Sequence, residues 1–158
     1  ATLQRLEGLV DIYLPDFKYA SPALAAAYSG APTYPEVAAA ALCEMHRQVG
    51  AVRFGEDGLL QRGVVVRHLV LPGSRHDSVA VLEKIASLVP VGEILLSLMR
   101  QYTPDFAPPD APRALHRRVM TFEYETVREA ALRLGFSGYS QEGGAASADF
   151  TPDFERGD

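Results

Sequence analysis

The chain has one cysteine, Cys43, and no tryptophan among its 158 residues. A single thiol excludes an intramolecular disulfide and fits a reducing compartment, so the expected location is the cytoplasm. Nor can the chain build a thiolate-rich metal site. Its four histidines, at 46, 68, 76 and 116, form no i,i+4 pair and have no cysteine partners. Cys43 lies in an Ala-rich stretch without a basic neighbour to activate it, and reads as a small core residue. The longest apolar runs, such as Val64 to Val66 and Ile94 to Met99, fall far short of the roughly 18 residues that a membrane-spanning helix needs.

Positive charge is also scarce. Fifteen Lys and Arg stand against twenty Asp and Glu, for a net charge of −5, which leaves no broad basic footprint for nucleic acid or an anionic membrane surface. The one basic cluster, Arg113 with His116, Arg117 and Arg118, sits beside prolines and reads as a solvated loop. Gly143-Gly144 is not followed by Lys-Ser or Lys-Thr, and no Gly-x-Gly-x-x-Gly joins a strand to a helix, so a nucleotide phosphate loop is unsupported. The N-terminus carries neither an initiator Met nor a signal peptide. The expectation is that the numbering begins inside a longer gene product.

What is there is the composition of a globular domain, 47% hydrophobic and 22% charged. Val10 to Phe17 alternates as a strand, with Asp16 and Lys18 continuing the parity of Val10, Ile12 and Leu14. Ser21-Pro22 starts a helix that Gly30 stops, and a second helix runs from about Pro35 to Val49 before Gly50. Gly63 to Pro72 is apolar on both parities apart from Arg67 and His68, the pattern of a strand covered on both faces. Asp77 or Ser78 can cap a helix through about Leu88, Glu93 to Met99 is a third strand, and Glu123 to Leu134 is a last helix closed by Gly135. A short strand at Gly138 to Gln141 follows. Strand, helices, strand, helix, strand implies parallel βαβ units with right-handed crossovers. The Pro-rich stretch from Tyr102 to Arg113 reads as a long loop, and long loops in compact domains are often functional.

Sites of parallel α/β folds form at the strand C-termini. Here that rule selects Asp16, Lys18, Arg67, and Ser97, Met99 and Gln101. A carboxylate, an ammonium and a guanidinium aimed into one cavity suit an amino-acid-like or carboxylate ligand; the plainer reading is an ion pair at a strand end. Ser74, His76 and Asp77 are neighbours in one turn, which suits a helix cap better than a hydrolase triad.

At these strand ends the sequence resembles the radical S-adenosylmethionine proteins related to pyruvate formate-lyase activating enzyme. The carrying pieces are the strand from Val10 ending in Asp16-Phe-Lys18, the Arg67-x-x-x-x-Pro72-Gly73 strand, Asp77-Ser78, and Ser97 to Pro104, in family order across most of residues 8 to 140. The resemblance implies a partial parallel (β/α) barrel, the C-terminal half of a (β/α)6 barrel spanning 1–141; residues 142–158 by themselves read as a mobile tail. It implies S-adenosylmethionine and a [4Fe-4S] cluster as cofactors, a 5′-deoxyadenosyl radical that abstracts hydrogen, and a glycyl-radical-type protein as partner. Asp16, Lys18, Arg67, Met99, Gln101 and Tyr102 match cofactor-lining positions.

The cluster motif Cys-x-x-x-Cys-x-x-Cys is missing, so this chain is expected to hold no cluster and to catalyse nothing alone. It is also expected to self-associate through an exposed strand edge. Two other readings stand beside this one. In the first, half of a lysine-dependent aldolase barrel uses Lys18 as its Schiff-base amine. In the second, the chain is an interaction module that works through loop 102–113 and the tail.

Overall fold

The computed structural model describes residues 2–142 and 145–150. Strands β1 (Ile12–Tyr13), β3 (Leu60–Leu69), β4 (Leu95–Met99) and β5 (Ser137–Glu142) run parallel and lie side by side in chain order. Strand β2 (Arg53–Phe54) pairs antiparallel with the start of β3. Helices α1 (Pro22–Ser29) and α2 (Tyr34–Val49) follow β1, α3 (Arg75–Leu88) joins β3 to β4, and α4 (Thr121–Leu134) joins β4 to β5. Among the described residues no helix is long and apolar enough to cross a membrane.

The strand order never reverses. With right-handed crossovers, a sheet wound in one direction puts all its helices on one face, whereas a doubly wound sheet reverses direction and covers both. The burial pattern agrees. Tyr13, Val64, Val66, Leu96 and Leu98 share one apolar core with Ala39 and Leu42 of α2, Leu82 and Ile85 of α3, and Tyr124 and Val127 of α4. On the opposite face Gly63, Val65 and Leu95 are buried, while Arg67 and Tyr139 are exposed. Strand β3 thus has its helices on one face, while its other face is buried at Gly63 and Val65 and opens at Arg67. Its run of valines is buried on both parities, as expected, but parity alone could not tell which face carries the helices.

Local chemistry explains the helix starts and stops. Ser21 Oγ accepts the Leu24 N–H at 3.3 Å, Pro22 fills the first turn, and Gly30 ends α1 in the left-handed region at φ 62°. Helix α3 is different: Asp77 does not cap it, and the N-cap residue is Ser74, without a side-chain bond. Asp77 reaches away, accepting the Ala20 and Ser21 N–H groups at 3.2 and 2.7 Å. Cys43 is exposed on α2 and is not a core residue, because the buried stripe of that helix runs through Ala39, Leu42 and Val49. Of the segment read as a tail, Ala145–Phe150 forms β6, antiparallel to β5; residues 143–144 and 151–158 lie outside the described residues.

Candidate functional site

Chain entry into the site is set by β1. Its pairing with β3 keeps one register from Ile12–Gly63 through Tyr13–Val64 to an isolated bridge at Asp16–Arg67. The expected strand Val10 to Phe17 thus exists as a course of the backbone, but Leu14-Pro15 interrupts its ladder, as a proline without an N–H must. Beyond the interruption the Arg67 N–H donates to the Pro15 carbonyl at 2.8 Å and the Phe17 N–H donates to the Arg67 carbonyl at 2.9 Å.

Two side chains from outside the strand then fix its end. The Tyr34 hydroxyl, at the start of α2, donates to the Asp16 carbonyl at 2.8 Å and accepts the Lys18 N–H at 3.1 Å. Burial pushes its phenol above the ordinary range. His68 is 1% exposed, and its Nδ1 donates to the Phe17 carbonyl at 2.7 Å. Since a carbonyl only accepts, this bond assigns the Nδ1–H tautomer and leaves Nε2 as a buried lone pair without a partner among the described residues. Burial lowers the His68 pKa; the Phe17 carbonyl and the charge of Asp77 oppose that shift without reversing it.

The result is a charged cluster on the helix-free face at the C-terminal end of the sheet. The Asp16 carboxylate lies 3.1 Å from Arg67 Nε and 3.9 Å from Lys18 Nζ, with all three side chains between 38 and 50% exposed. Ion pairs so exposed contribute about 0–1 kcal/mol to stability. The arrangement is better understood as presenting groups: both terminal nitrogens of Arg67 and the ammonium of Lys18 keep free donors. Register carries the row further across the sheet, from Asp16 and Arg67 to Ser97 and Tyr139.

Met99 pairs with Leu69, one step above the Arg67–Ser97 pair, and so joins the same face. Gln101 and Tyr102 are placed differently. The Tyr102 N–H bonds back to the Arg100 carbonyl at 2.8 Å, which turns the chain at Gln101 and ends the strand parity there. Gln101 is exposed. Tyr102 packs against the helix-side core, and its phenol donates to the Leu115 carbonyl at 2.8 Å.

Sequence reasoning missed Tyr34 and Glu123. Glu123 is almost fully buried, with a side chain 2% exposed, and receives both terminal nitrogens of Arg117 at 2.8 Å. It also accepts the N–H groups of Gly73 at 2.8 Å and Met120 at 2.9 Å. Arg117 first, then these backbone donors, hold its pKa at about 2. Arg117 is therefore not a freely solvated loop cation. The available signal was a Glu in the first turn of α4, the reach-back position of a capping box; for Tyr34 no local signal exists.

The fold and site define a class, an α/β protein with a singly wound parallel sheet and a charged cluster at its strand C-termini. Comparison with protein-family models, curated proteins and solved structures yields no match.

Proposed function

We propose that the chain is the C-terminal half of a radical S-adenosylmethionine (β/α) barrel, similar to pyruvate formate-lyase activating enzyme, and contributes the surface that holds the amino-acid end of S-adenosylmethionine. The supporting observation is the convergence of Asp16, Lys18 and Arg67 on the helix-free face at the strand C-termini. An α-ammonium seeks a carboxylate such as Asp16. An α-carboxylate seeks the free fork of Arg67 and the Lys18 ammonium. A sheet wound one way with helices on one side is also the local geometry of a β/α barrel wall.

The [4Fe-4S] cluster does not fit these residues. It needs several thiolates, and the one cysteine sits exposed on α2. Among the described residues no group of His, Cys, Asp or Glu is placed to hold a metal. What the chain's own residues do is bind and orient: Tyr34 and His68 fix the strand end, Asp16 aims the Arg67 guanidinium, and Met99 borders the face. In the parent enzyme the protein target would be of the glycyl-radical type. The aldolase reading gains no support, because a Schiff-base lysine works from desolvated surroundings, and Lys18 is half exposed 3.9 Å from a carboxylate.

Amide chemical shifts of the chain titrated with S-adenosylmethionine test the proposal. Saturable shifts are expected at Phe17, Lys18, Arg67 and Met99, with affinity about tenfold or more weaker in Arg67→Ala, the scale of a charged hydrogen bond. Absence of saturable shifts at millimolar ligand, or equal affinity in Arg67→Ala, overturns it.

A further inference from the structure

We propose that the loop between β4 and α4 carries a second, separate pocket that binds a small organic phosphate, with Arg113 and Arg117 as its anion-holding residues. The loop reverses the charge of the molecule it belongs to. The chain carries −5 overall, yet Arg113, His116, Arg117 and Arg118 stand within one short stretch that holds no acid. Asp105 and Asp110 share the loop and pair with none of them among the described residues.

The cluster lines an open depression. Arg113, Ala114, His116 and Arg117 line a cavity of about 510 Å³, within the range of small-ligand sites. Three anchors hold its walls: the Tyr102 hydroxyl on the Leu115 carbonyl, His116 Nε2–H on the Ala111 carbonyl at 3.1 Å, and the Arg117–Glu123 pair. Gly73 lets the wall close on the β3–α3 turn, since a Cβ there would lie 2.8 Å from that of Ala114.

Both arginines keep guanidinium donors that an anion could take. Arg117 gives Nη1 to Glu123 and to the Arg118 carbonyl and Nη2 to Glu123, so its Nε–H and one Nη2–H remain in a fixed direction. Arg113 makes no hydrogen bond or ion pair at all among the described residues. Guanidinium forks match a tetrahedral phosphate better than an ammonium does. The Ala114 methyl and the arginine stems give an apolar wall for an organic body. A polynucleotide does not suit the site, because counterion release rewards a long basic track and this patch is one loop wide.

The test is calorimetric titration of the whole chain with phenyl phosphate at fixed low ionic strength, with benzoate as the carboxylate comparison. Saturable phenyl phosphate binding is expected, weakened about tenfold or more by Arg113→Gln. Arg113 has no structural partner, so that variant keeps the wild-type melting temperature. Arg118→Gln, outside the lining, and Lys18→Ala, in the other cluster, leave the affinity within about twofold, a margin that allows for screened long-range charge. No saturation at millimolar phenyl phosphate, unchanged affinity in Arg113→Gln, or an equal loss in Arg118→Gln each overturns the pocket. Equal affinity for benzoate overturns the phosphate assignment, and a loss in Lys18→Ala overturns the separateness of the two sites.

Discussion

His68 shows how one buried ring couples the site to pH. Its neutral form satisfies the Phe17 carbonyl, while protonation would place a charge in the apolar core. The folded pKa therefore lies below the ordinary 6.5. Below that value the unfolded chain binds a proton that the folded chain refuses. The His68 contribution is thus complete above about pH 6.5 and shrinks as pH falls toward the folded pKa, by at most about 1.4 kcal/mol per pH unit. Denaturant unfolding of the wild type and of His68→Leu from pH 7.5 to 5 should give a stability difference that changes in this direction. A constant difference would show that His68 does not titrate across the transition. Glu123 acts lower: held at about 2 against an ordinary 4.5, it contributes stability above pH 4.5 that is lost as pH falls toward 2.

At the scale of elements, the contact that ties α1 to α3 is a carboxylate. Asp77 accepts two N–H groups, 56 and 57 residues earlier, where the chain leaves the β1 region and enters α1. Hydrogen bonds to a charged group are worth about 1.5–3 kcal/mol each, and the half-buried position discounts them. Asp77→Ala is expected to cost about 1–3 kcal/mol by chemical denaturation and to speed amide exchange at Ala20 and Ser21. A change below 0.5 kcal/mol, the scale of an ordinary surface substitution, would mean that packing of Ala25 and Tyr19 holds α1 unaided. The Ser21-Pro22 start and the Gly30 stop were legible because cap and partner lie within a turn of each other. The role of Asp77 was not, because its partners are near only after the sheet has formed.

For the whole molecule, the consequence of one-way winding is an open side. Strand β1 has a neighbour on one edge only among the described residues, and Leu14, on the helix-free face, is 56% exposed. Unpaired strand edges recruit other strands, and apolar burial at roughly 25 cal/mol per Å² makes a few hundred Å² worth several kcal/mol before association costs. Light scattering should therefore find a dimer that dissociates on dilution, and Leu14→Lys should shift it toward monomer. A strict monomer at high concentration would count against an exposed edge or face that seeks a partner.

By itself the sequence determined the alternating and capped segments, hence the α/β class, four helices close to their observed bounds, and the parallel order of the main strands. Those features rest on interactions within a few residues, where spacing and residue type suffice. It also placed Asp16 and Lys18 on one parity near a strand end. Only the tertiary structure decided that Asp16 meets Arg67 while Tyr102 turns to the core, that Arg117 is locked to a buried Glu123, and that Cys43 faces outward. Each depends on the register between strands or on which face a helix turns inward, and both are fixed by burial across the whole sheet rather than by any local pattern.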